Sequence, residues 1–141
     1  MKKYIAVLGI LISLVSCKTT QAPYITTNLY EVLTGDEMSG APFRFYETIT
    51  TEEEFNVLLK NPATKGFIKK DDILNNNFII VNLGEKESEG FLIKIKSIKE
   101  QKDKIVVNIE EIEPKRKSNP PVLTRPYCVI KIKSKKEIDI L

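Results

Sequence analysis

The sequence predicts an α+β fold, mostly β, in which a small antiparallel sheet or sandwich carries one short helix. Three observations predict it. Apolar and polar residues alternate along several segments of the C-terminal half, the period of a half-buried strand. One segment near residue 55 changes to helical spacing behind a pair of capping boxes. Turn-forming residues then separate the alternating segments at short distances. With 141 residues the chain can build one domain with a core of its own, and is too short for two.

Leu29 to Thr34 is the first expected strand, closed by Gly35-Asp36 and a loop through Ser39-Gly40. Arg44 to Ile49 is rich in aromatic and β-branched residues and forms the second. Thr50 pairs with Glu53 and Thr51 with Glu54 as overlapping capping boxes. Phe55, Leu58 and Leu59 follow on one face, and Asn61-Pro62 ends a helix of about two to three turns. Its acidic first turn suits the helix dipole. Asn75-Asn76-Asn77 then breaks the pattern before the strand Phe78 to Leu83, whose Ile79, Val81 and Leu83 share a face.

Phe91 to Ser97 places Phe91, Ile93 and Ile95 against Lys94 and Lys96. Gln101-Lys102-Asp103 turns the chain into Ile105 to Ile112, which Pro114 ends. Pro126 to Lys133 is the last expected strand, with Cys128, Ile130 and Ile132 inward. Lys94, Lys96, Lys131 and Lys133 are then expected on the solvated face of one antiparallel sheet.

Composition excludes much chemistry. The chain has no histidine, so neither a Ser-His-Asp nor a Cys-His centre can form, and the commonest zinc ligand is missing. Its two cysteines are Cys17 and Cys128, and Cys128 lies in an apolar run expected to bury an inert thiol. No calcium loop or glycine-rich phosphate cradle is present. No enzyme activity, cofactor or metal is expected. The net charge of +3 includes Lys2 and Lys3, and no basic cluster of nucleic-acid-binding type stands out.

The N-terminus carries a bacterial lipoprotein signal. Met1-Lys2-Lys3 is a basic start, Tyr4 to Ser13 an apolar run too short to span a bilayer, and Leu14-Val15-Ser16-Cys17 the cleavage box. Residues 1–16 are expected to be removed and Cys17 to carry a diacylglycerol plus an amide-linked acyl chain, an effectively stable anchor. Residues 17–23 form a polar tether, and residues 24–141 a single globular domain. Lys18 is not the aspartate that retains lipoproteins in the inner membrane of enterobacteria. The expected location is therefore the cell envelope, at the outer membrane.

If the last four strands form a meander, the connections 84–90 and 114–125 fall at the same end of the sheet. The first carries Glu85, Glu87 and Glu89; the second carries Lys115, Arg116, Lys117 and Arg125. Opposed charges there would latch the loops at little energetic gain, or the pair would form a recognition edge on a rigid sheet.

Asn77 to Gly84, Glu87 to Phe91, Ile105 to Pro114 and Thr124-Arg125-Pro126-Tyr127 together resemble the C-terminal domain of the PrcB family of protease-complex lipoproteins, over residues 77–134. Leu83-Gly84, Gly90-Phe91 and Pro126-Tyr127 match the family pattern, and Ser88-Glu89 departs from its Thr-Gly. The resemblance implies a non-enzymatic envelope lipoprotein that binds or stabilises a protein partner, a secreted protease complex. It directs attention to Gly84, Glu89, Gly90, Phe91, Arg125, Pro126 and Tyr127 as partner-binding residues. Two of these segments also look like loops of the chagasin-type cysteine-protease inhibitors, whose third, glycine-rich loop has no counterpart here. Inhibition is thus one alternative, and a structural envelope protein without a specific partner another.

Overall fold

A computed structural model describes residues 28–141. Cys17, the cleavage box and the tether lie outside the described residues. The elements run β1 (Tyr30–Asp36), β2 (Arg44–Ile49), α1 (Glu52–Leu59), a 3-10 helix (Lys70–Leu74), β3 (Asn77–Leu83), β4 (Leu92–Glu100), β5 (Lys104–Ile112), β6 (Tyr127–Ile132) and β7 (Glu137–Ile140). The expected α+β, mostly β class holds.

The strands divide into two sheets, and here the meander expectation is corrected. One sheet has the order β1-β6-β3-β2 and is antiparallel throughout; the other has the order β4-β5-β7, with β5 and β7 parallel. The chain leaves the first sheet after β3, makes the β4–β5 hairpin in the second, and returns to place β6 between β1 and β3. Alternation shows which residues of a strand face inward, but not which sheet the strand joins.

The four-stranded sheet is covered on both faces, which corrects the expectation of a single solvated face. Toward the second sheet it sends Tyr30, Ile79, Val81, Leu83, Cys128, Ile130 and Ile132, which meet Phe91, Ile105, Val107 and Ile109. Toward the helices it sends Ile49, Phe78, Tyr127 and Val129, which meet Phe55, Leu58, Ile68 and Ile73. The central strands β3 and β6 are therefore buried at nearly every position. Lys131 points to the helix side and pairs with Asp72 at 3.2 Å, whereas Lys94, Lys96 and Lys133 are exposed.

Local chemistry accounts for the boundaries. Of the two expected boxes, the Thr51–Glu54 pair forms. Thr51 Oγ1 accepts from the Glu54 N–H at 3.3 Å, and Glu54 Oε2 accepts from the Thr50 and Thr51 N–H groups at 3.0 and 3.2 Å. A bulge at Lys96 shifts the β4 register, so that Ile98 takes the inward place alternation would give Ser97. A second bulge lies at Leu33 of β1, which stays in the helix-side core where alternation from Tyr30 and Val32 places it.

Strand directions define two poles. The β1 N-terminus, the 101–103 turn, the 133–136 connection and the start of β3 share one pole. The connections 37–43, 84–91 and 113–126 share the other.

Candidate functional site

Three connections meet at the second pole. The 84–91 and 113–126 connections both cross between the sheets there, which brings them together without a meander. Lys86 and Thr124 exchange backbone hydrogen bonds of 2.8 Å in each direction, and the Val122 N–H donates to the Glu87 carbonyl at 3.3 Å. Ser88 and Thr124 are both 1% exposed. The Thr124 hydroxyl donates to the Ser88 carbonyl at 2.7 Å, and Ser88 Oγ accepts from the Ser118 N–H at 2.7 Å. Asn119–Pro120 is cis.

The third connection, 37–43, was not singled out in the sequence. It docks on the other two: the Arg125 N–H donates to the Glu37 carbonyl at 2.6 Å, the Gly40 N–H to the Arg125 carbonyl at 3.0 Å, and the Glu85 N–H to the Pro42 carbonyl at 3.1 Å. Asn82 holds it from below, accepting from the Ala41 N–H at 2.9 Å and donating to the Ala41 and Phe43 carbonyls. Asp36 organises its first turn through the Met38 N–H and the Ser39 hydroxyl, and these bonds hold its carboxyl below the ordinary range.

The residues singled out from sequence fall into two groups. Gly84, Phe91, Pro126 and Tyr127 are buried and belong to the frame. Gly84 has φ +75°, and a Cβ there would lie 3.0 Å from the Arg44 nitrogen and 3.2 Å from the Pro42 carbonyl oxygen, so glycine answers both demands. Phe91 packs between the sheets with Lys86 Nζ 4.9 Å from its ring centroid. Pro126 accepts from the Leu83 N–H at 3.0 Å. Tyr127 lies in the helix-side core, where burial, with smaller contributions from Cys128 and Glu47, pushes its phenol up to about 12. Burial likewise pushes the Cys128 thiol up to about 12 and keeps it neutral. These side chains offer no contact surface to a docked partner.

Glu89, Gly90 and Arg125 reach the surface. Gly90 has φ +88°, and its N–H donates to Glu37 Oε1 at 3.1 Å. Arg125 pairs with Glu85 at 2.6 Å, with the two side chains 38% and 41% exposed. The latch reading thus holds for this pair. Lys115, Arg116 and Lys117 are exposed and join none of the ion pairs among the described residues.

Several accessible apolar side chains in the connections of this pole are ones that sequence reasoning missed. Met38, Phe43 and Leu123 are 66%, 64% and 54% exposed, and Val122, next to Leu123 in the chain, is 36% exposed. All sit in polar, proline-containing loops without periodicity, so no sequence signal separated them from buried residues. Their backbones are held by the hydrogen bonds just described. The result is a set of exposed apolar tips on a hydrogen-bonded frame at one pole rather than on loose loops.

One ion cluster fastens this pole across the sheets. Glu111 of β5 receives Arg44 of β2 and, at 2.6 Å, Lys86 of the 84–91 connection. Burial alone would raise the Glu111 carboxyl. Hydrogen bonds from Lys86 and Arg44, and then their charges, outweigh burial and hold it below its ordinary 4.5. A lowered carboxylate stabilises the fold fully above pH 4.5 and loses that contribution as pH falls through the depressed value. Glu111→Gln is expected to lower the Tm at neutral pH and to converge on the parent as pH falls through the depressed value. Melting curves at matched ionic strength check this, and a pH-independent gap would refute it.

Among the described residues no group of three His, Cys, Asp or Glu is placed to hold a metal ion. None of their helices is long and apolar enough to cross a membrane, which says nothing of a β-barrel. Residues 77–133 match the family described as PrcB C-terminal. The match runs from β3 through β6 and contains two of the three connections at the pole; 37–43, α1 and β7 lie outside it. No curated protein and no solved structure matches the chain.

Proposed function

We propose that this chain, a PrcB C-terminal segment over residues 77–133 with its own added helix layer, is a non-enzymatic envelope lipoprotein that binds a protein partner. The partner is a component of a secreted protease complex, and the contact surface is the pole formed by 37–43, 84–91 and 113–126. The observation that carries this reading is the exposure of Met38, Phe43 and Leu123 on a hydrogen-bonded frame. Aliphatic and aromatic anchors on a preformed frame are what a docking surface needs, because little ordering entropy is lost on binding. The family supplies the class of partner; it brings no catalytic residues.

The two poles support a geometry for the anchored protein. Tyr30 begins β1 at the pole opposite the three connections, so the segment that follows Cys17 joins the domain away from the three-connection pole. Cys17→Ser is expected to abolish incorporation of a clickable fatty acid into the chain and to leave its signal uncleaved. Unchanged labelling would remove the anchor from the proposal.

The partner itself is tested by placing a photo-crosslinking amino acid at Phe43 or Leu123 in the cell envelope, with the exposed Lys96 of β4 as control. Enrichment of a protease or protease-complex subunit from the two loop positions, and not from Lys96, is expected. The same abundant envelope proteins from all three would favour a structural lipoprotein without a specific partner.

A further inference from the structure

A second surface lies on the side of the domain, independent of the three-connection pole. Sheet edges attract foreign strands, and among the described residues three of the four edge strands carry a guard. β1 is interrupted by its bulge at Leu33. β4 has the bulge at Lys96 and presents Lys94, Lys96 and Lys99. β7 is four residues long and carries Glu137 and Asp139. β2 lacks a bulge, a proline and a lysine: it pairs with β3 in unbroken register from Arg44 to Ile49, and its charged residues are Arg44 and Glu47.

The phase of pairing shows what β2 presents. The Leu83 N–H donates to the Pro126 carbonyl, so odd-numbered residues of β3 bond toward β6 and even-numbered ones toward β2. Ile80 and Asn82 therefore bond with Glu47 and Phe45, and Tyr46 and Thr48 turn their N–H and C=O groups outward. Among the described residues no strand or loop pairs with them.

Beside this edge, on the helix side, is a cleft of about 210 Å³ between α1 and the sheet. Ile49, Ile80, Val57 and Leu58 give it apolar walls, and Glu47 and Glu54 bring two carboxylates; its lining contains no cation. Glu54 is held below the ordinary carboxylate range by the Thr50 and Thr51 N–H groups, so it is ionised near neutrality. The size suits one or two side chains, and its charge calls for a basic one.

We infer that β2 accepts an extended segment of another protein as a fifth strand, with an aliphatic and a basic side chain at alternate positions entering the α1–β2 cleft. Backbone pairing with Tyr46 and Thr48 supplies affinity, while the cleft supplies selectivity for Lys or Arg over acidic residues. A second copy of this chain is a poorer occupant, since β2 itself offers no lysine and only Arg44, which is engaged by Glu111.

The test uses the full chain and a defined probe, acetyl-Thr-Val-Thr-Lys-Thr-Val-Thr-amide, with glutamate in place of lysine as its control. Binding of the lysine probe is expected to slow hydrogen exchange at the Tyr46 and Thr48 amides. Glu47→Lys, at an exposed position, is expected to weaken the lysine probe by about tenfold. Thr48→Pro is expected to abolish binding, because it removes an outward N–H and none of the bonds to β3. Glu47→Lys carries the test if the proline variant fails to fold. Equal affinity for the two probes would overturn the inference, as would protection confined to other strands. Protection of Tyr46 and Thr48 that rises with protein concentration and needs no probe would overturn it too, assigning the edge to a second copy.

Discussion

Phe78→Ala is expected to destabilise the domain by about 3–5 kcal/mol, the largest effect of any single substitution considered for this chain. Phe78 is 0% exposed and sits on β3, the strand that both layers share. Its ring stacks on Phe55 of α1 with centroids 4.8 Å apart and planes 27° apart. Removing it takes away transfer free energy and leaves a cavity that a central strand cannot close, being fixed by β2 on one side and β6 on the other. It also removes the main aromatic contact holding α1, so the helix amides should lose exchange protection before those of β5. Small domains have only about 5–15 kcal/mol in total, so the melting midpoint should fall by more than about 10 °C. Val57→Ser, at a position 73% exposed on the rim of the α1 cleft, is the control, expected within about 0.5 kcal/mol. A loss below about 1 kcal/mol for Phe78→Ala would mean that the helix layer contributes little, and that the two-sheet sandwich stands without it.

That double burial marks where the sequence was legible and where it was not. β4 and β5 alternate because one of their faces is solvated, and period two is visible in the letters. In β3 and β6 both faces are apolar, so the pattern that identifies a strand also hides its second partner. Tyr127 and Phe78 were therefore not recognisable as helix-side core. The helix was legible through Thr51 and Glu54, since capping is local chemistry; the Lys70–Leu74 turn has no such pattern of apolar spacing. β7 was missed because Glu137 to Ile140 is short and obtains its partner from β5, far away in sequence. The 84–91 and 113–126 connections do lie together, although not by a meander: both cross between the sheets at one pole. Site residues chosen for resemblance to a motif proved to be mostly frame, because motifs of this kind record turns and packing, whereas exposed apolar tips leave no periodic trace.

The decisive prediction for function separates the tips from the frame. The double variant Phe43→Ser, Leu123→Ser should keep the parent melting midpoint to within what about 1 kcal/mol would move, since both side chains are largely exposed. Partner capture should nevertheless fall by at least about tenfold, because loss of a central apolar anchor commonly costs 1–2 kcal/mol or more of binding. Arg125→Ala is expected to do less: it breaks an exposed pair with Glu85 that is worth about 0–1 kcal/mol, and leaves its backbone bonds to Glu37 and Gly40 in place. Tyr127→Ala would also lower capture, but through unfolding of the helix-side core, so its melt must fall in step. A third case tests the frame itself. A Cβ at Gly40 would run into Asn82 Oδ1 and the Arg125 carbonyl, so Gly40→Ala must lift the 37–43 connection and move Phe43 with it. Capture should then fall although every tip residue is still present. If the double variant captures partner as well as the parent does, the apolar tips are not the docking surface, and the open β2 edge becomes the surface to mutate next.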